Sequence, residues 1–82
     1  MKETTIFNRL VVLRAERQLS RNDFARALDI NYQTVGYLER GEYNPSLALA
    51  LKISQFFEVP VEMVFSLQPF QPLRSIPKEE RI

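Results

Sequence analysis

Tyr32, Gln33, Gly36, Tyr37 and Arg40 are separated alternately by one and three residues, which sets them along one side of a short helix. Their chemistry is recognition rather than bond-making. Phenols, a carboxamide and a guanidinium donate and accept hydrogen bonds, and no neighbouring base is placed to activate any of them as a nucleophile. The rest of the chain agrees. It has no cysteine and no histidine, which removes thiolate nucleophiles, disulfides, zinc-thiolate sites and the commonest general base. Its carboxylates are scattered over cap and surface positions instead of being gathered. Neither an enzyme, a metal site nor a cofactor is expected.

Eighty-two residues with a 45% hydrophobic share make one domain with one small core, modest in stability and helped by dimerisation. The net charge of +1 does not by itself suggest a nucleic-acid partner. Residues 1–29 carry six Lys or Arg (Lys2, Arg9, Arg14, Arg17, Arg21, Arg26) against four acids, and the remainder five against six. That bias is compatible with one basic face, but charge alone favours a solvated surface of mixed charge. No apolar run approaches the ~18 residues of a membrane span, and Met1 to Thr5 lack the apolar stretch of a signal peptide. A cytoplasmic protein with no membrane partner is the expectation.

The elements that must position these side chains are helical. Ile6, Leu10 and Leu13 make an amphipathic stripe that predicts a first helix over about 6–18. Ser20 caps a second, with Asp23 in its first turn, running to Leu28 and burying Phe24 and Ala25. Asp29, Ile30 and Asn31 form a tight turn, and Asn31 caps a third helix from Tyr32 to about Arg40. Gly41 ends it in left-handed geometry. Ser46 caps a fourth helix to Phe57, with Leu47, Ala50, Ile53 and Phe57 inward, and Pro60 opens a short fifth helix ending near Phe65. Phe65 to Phe70 is a candidate strand, Pro69, Pro72 and Pro77 prevent further helix, and Lys78 to Arg81 read as a frayed end. The division is a domain over 1–66 and an extension over 67–82 that is partly extended and a candidate for dimer contacts.

Within this outline, Arg21 to Gly41 is a helix pair joined by a three-residue turn. Ala25 lets the two axes approach, and Ile30, Val35 and Leu38 form an apolar wedge that sets a steep crossing. Together with the segments Leu13 to Ser20, Asn31 to Val35 and Leu38 to Leu47, this resembles the Cro and phage-repressor helix-turn-helix family, of the XRE type, over about residues 6–65. The resemblance implies an all-α, five-helix, lambda-repressor-like domain that binds double-stranded DNA as a homodimer on a palindromic operator and regulates transcription, chiefly as a repressor. It places Tyr32, Gln33, Thr34 and Tyr37 at base-reading positions, where an amide such as Gln33 can pair with adenine. It places Ser20, Arg21, Arg40, Tyr43 and Asn44 beside phosphates, with Tyr43 alternatively packing under its loop. Arg14 and Glu39 match an internal salt bridge. Arg9, Arg17 and Arg26 are read as ordinary surface residues.

Two departures from the family pattern stand out. Asp29 occupies a turn position usually held by glycine, which Asp tolerates in left-handed geometry at some cost. Gly36 interrupts the recognition helix and removes a base contact, either to admit close approach to DNA or as a packing glycine. Leu49 and Phe56 lie off the stripe of the fourth helix. Phe56, Met63, Phe65, Leu67 and Phe70 are accordingly the expected dimer interface. A toxin partner or a restriction-modification operon is an alternative setting for the same fold, and a protein-interaction adaptor with the helix pair as scaffold is a rival of another class.

Overall fold

The computed structural model describes residues 4–70. The chain forms β1 (Phe7–Asn8), α1 (Leu10–Glu16), α2 (Arg21–Leu28), α3 (Tyr32–Glu39), α4 (Leu47–Phe57), a single 3-10 turn (Val61–Met63) and β2 (Phe65–Ser66). The fold is mostly helical, as expected. Residues 71–82, most of the proposed extension and all of its charged end, lie outside the described residues.

Four expectations need correction. The first helix begins at Leu10 rather than Ile6, because Asn8 Oδ1 accepts the Leu10 N–H at 3.0 Å and fixes the start there. Phe7 and Asn8 instead pair antiparallel with Ser66 and Phe65, so the expected strand is two residues long and has a partner in the N-terminal segment. The fifth helix is one 3-10 turn, closed by Met63 N–H to Pro60 and Val64 N–H to Val61, after which the chain is drawn into the ribbon. Leu47 is 74% exposed: 100° per residue sets it about 70° from the mean direction of the buried Ala50, Ile53, Ser54 and Phe57, in a first turn with nothing over it.

The helices are punctuated by one repeated device. Ser20, Asn31 and Ser46 accept backbone N–H groups of the following first turns, as their positions predict. At the other end each helix closes on a left-handed residue: Gln18, Asp29, Gly41 and Glu58, with φ of 54, 56, 76 and 60°. In each case the residue beyond it reaches back five positions, Leu19 to Arg14, Ile30 to Ala25, Glu42 to Tyr37 and Val59 to Ser54, which is the Schellman closure. Leu19, Ile30 and Val59 then pack against the core.

That core is Leu10, Phe24, Ala25, Val35, Leu38, Ile53, Phe57 and Val64. Phe24, Phe56 and Phe57 form an aromatic cluster with centroids 5.0 to 5.7 Å apart, tilted or edge-on as ring quadrupoles prefer. Phe56, expected at the dimer surface, is half-buried and packs against this core.

Candidate nucleic-acid interface

The helix pair is set by the turn between α2 and α3. Asp29 adopts φ 56° and ψ 47°, reversing the chain within three residues, and Ala25, 4% exposed, lies among Val35 and Leu38 in the core. Asn31 Oδ1 then accepts the Gln33 N–H at 2.7 Å and starts α3.

Glu39, at the last turn of α3, ties three helices together. Its carboxylate, 1% exposed, accepts Arg14 Nε from α1 at 2.5 Å and Arg21 Nε from α2 at 2.9 Å, with a further bond from Arg14 Nη2. Arg14 also donates to the Leu19 carbonyl, so its charge is satisfied on two sides. Arg21 is the more exposed of the two arginines. Its hydrogen bond to Glu39, reinforced by the charge of that carboxylate and more weakly by Tyr32, raises its pKa above the ordinary arginine value, and it stays cationic. The internal ion pair foreseen for Arg14 and Glu39 is therefore a three-residue hub, and Arg21 belongs to it.

On the outer side of α3, Tyr32, Gln33 and Tyr37 are exposed, whereas Thr34 is half-buried. Tyr32, Gln33, Gly36, Tyr37, Arg21 and Arg40 line a shallow hollow of about 170 Å³, to which Thr34 does not contribute. Gly36 is buried at its floor, covered by arginine side chains: a Cβ on it would lie 3.1 Å from Arg40 Nη1 and 3.6 Å from Arg21 Nη1. Arg40 also holds its guanidinium 5.2 Å from the centre of the Tyr37 ring and pairs with Glu42 at 3.1 Å. Tyr43 and Asn44 are both exposed on the loop after Gly41, Tyr43 at 46%. Ser20 spends its hydroxyl oxygen on the Asp23 N–H and keeps a proton to donate.

Two residues with structural work were missed. Asn8 donates from Nδ2 to the Leu38 carbonyl at 2.9 Å while its Oδ1 starts α1, linking the end of α3 to the beginning of α1. An Asn just ahead of an apolar-periodic stretch is a capping signal, so it was there to be read. Arg17 is no ordinary surface residue. It donates to the Phe56 and Phe57 carbonyls at 3.1 and 2.9 Å and lies over both rings, meeting the negative end of α4 with a cation.

Of the other residues expected at a dimer surface, Met63 and Leu67 are 46% and 65% exposed, while Phe65 and Phe70 are half-buried, Phe70 beneath the Arg9 guanidinium. Ile6, Val61, Phe65 and Leu67 border a second, mainly apolar hollow of about 600 Å³. Among the described residues no group of carboxylates could hold a metal ion, and no helix is long and apolar enough to cross a membrane.

Residues 12–64 match the helix-turn-helix family. An uncharacterized helix-turn-helix-type transcriptional regulator of Methanocaldococcus jannaschii is 43% identical over 58 residues, covering 71% of this chain and 88% of its own. A second regulator so described, from Bacillus subtilis, is 39% identical over 61 residues, covering 74% and 92%. Among solved structures, a candidate DNA-binding protein of Bacteroides fragilis superposes with a TM-score of 0.67 at 21% identity, over 74% of this chain and 98% of that one, a likeness of fold.

Proposed function

Because the chain belongs to the helix-turn-helix family, we propose that it regulates transcription by binding double-stranded DNA, with α3 laid in the major groove. The observation that carries this reading is the outer side of α3. Tyr32, Gln33 and Tyr37 stand exposed around a hollow flanked by two arginines, on a helix that Glu39 locks to α1 and α2. A side chain can discriminate bases only if its helix is held still, and the hub supplies that rigidity. The names of the archaeal and Bacillus relatives point the same way.

In this reading Gln33 pairs with an adenine edge, Tyr32 and Tyr37 contact neighbouring bases, and Thr34, less exposed, contributes at the margin. Ser20 and Arg21 grip the backbone on one side of the groove, Tyr43 and Asn44 on the other. The overall charge of +1 matters less than where the cations stand, since counterion release depends on the phosphates contacted. The protein acts as a homodimer on a palindromic operator, because one α3 spans too few base pairs, whereas two-fold symmetry places two copies about 34 Å apart on one face of the duplex. Exposed Met63 and Leu67, with the apolar hollow that Leu67 borders, are the surface we assign to it. Occupying the operator in the cytoplasm represses the adjoining promoter.

A gel shift with duplexes from upstream of its own gene tests the reading. Gln33→Ala should cost about 1 to 3 kcal/mol of discrimination at one base position while leaving other positions alone. Unchanged discrimination would remove α3 as the reading element.

A further inference from the structure

The geometry points to Arg40 as a reader of guanine, acting from the middle of the outer side of α3 through the opening that Gly36 leaves; this rests on the DNA-binding reading above. Arg40 is the C-terminal cap of α3, and its position suggests a backbone contact beside Tyr43 and Asn44. Its side chain goes elsewhere. Helical side chains lean toward the N-terminus and cover the preceding turn, four residues back. Here that residue is Gly36, and the Arg40 Nη1 settles over it, 3.1 Å from where a Cβ would be. The guanidinium therefore lies over Gly36 and beside the Tyr37 ring, in the hollow that Gln33 also lines, while it stays paired with Glu42.

The hollow it faces is rich in donors. Arg21, tethered by Nε to Glu39, brings its own Nη1 to 3.6 Å from the same point above Gly36. Arg40 uses Nε and Nη2 on Glu42, and its Nη1 has no hydrogen-bond partner among the described residues. The Arg40 and Glu42 side chains are 48% and 54% exposed, a solvated pair that holds Arg40 loosely and gives it up readily to a better acceptor. At the middle of a helix lying in the major groove that acceptor is a base edge, whereas phosphates line the two rims. Guanine presents O6 and N7 side by side there, matching the planar fork of an arginine, and no other base does. Any side chain at position 36 would occupy the space the fork needs.

The test begins with selection of bound duplexes from a randomised pool by the full chain. If no shared sequence emerges, the DNA-reading function itself fails, before any variant is made. If one emerges, each guanine in it is replaced in turn by 7-deazaguanine, which lacks the N7 acceptor and leaves the phosphates and the protein untouched. One replacement should weaken wild-type binding about 5- to 150-fold and leave Arg40→Ala indifferent. Gly36→Leu, whose Cβ has arginine side chains as its nearest neighbours and which retains helix propensity, should lose the same guanine preference while melting as a folded protein. The proposal is overturned if the sequence holds no sensitive guanine, or if Arg40→Ala still prefers it. It is overturned equally if Arg40→Ala weakens every duplex alike and flattens the salt dependence, the mark of a phosphate contact.

Discussion

Arg14 and Arg21 share one carboxylate and should nevertheless fail differently. Arg14 is 16% exposed and Glu39 1%, so removing Arg14 leaves a buried acid short of its main partner, at a cost of about 3 kcal/mol in unfolding by urea. Arg21 is 36% exposed, and with Arg14 still bonded to Glu39 its removal should leave the urea midpoint close to wild type while weakening DNA binding. A large stability loss in Arg21→Ala with DNA affinity unchanged would make that residue purely structural. The sequence shows the Arg14 and Glu39 pair through its family pattern. It does not show Arg21 joining them, since three residues on three helices meet only once the crossing is built. Gly36 was equally opaque: a glycine on an outward face looks like a missing contact until the arginines above it are in place.

Among the elements, starts were more legible than ends. Ser20, Asn31 and Ser46 are residue types that cap by their own hydroxyl or amide, so each helix they begin could be read directly. Three of the four ends use no glycine, and Gln18 and Glu58 carry no such advertisement. A signal does exist in the next residue along the chain: Gln18-Leu19, Asp29-Ile30 and Glu58-Val59 each pair a left-handed polar residue with an apolar one that returns to the core. Left-handed geometry costs a residue with a Cβ, and Asp29 sits at the turn that sets the angle of α3. Asp29→Gly should therefore gain about 0.5 kcal/mol, net of the added freedom of the unfolded chain, raising Tm by about 2 to 4 °C in a melting curve. A lower Tm would mean that the aspartate side chain contributes more than its backbone strain takes away. The two-residue strands were beyond reach of periodicity, because Phe7–Asn8 and Phe65–Ser66 are too short to show alternation and are brought together only by the helices between them.

For the molecule as a whole, the question is how one small domain acquires a specific site on DNA. Its core is closed by residues from both ends of the described chain, with Leu10 and Val64 fully buried and the ribbon beside them. That closure leaves Met63 and Leu67 outside, Leu67 at the edge of the apolar hollow. If these form the two-fold contact, the double variant Met63→Glu, Leu67→Glu should sediment as a monomer with an unchanged helical spectrum. Its affinity for a full operator should fall by more than about tenfold, since the second half-site no longer gains from the first. A wild-type protein that sediments as a monomer and binds one half-site with full affinity would remove the dimer. That α3 reads sequence at all is tested most directly by fluorescence anisotropy at one fixed salt concentration, comparing a selected duplex with its scrambled counterpart. Specific reading predicts a ratio of dissociation constants of about 1,000 or more, and equal affinities for the two duplexes would contradict it.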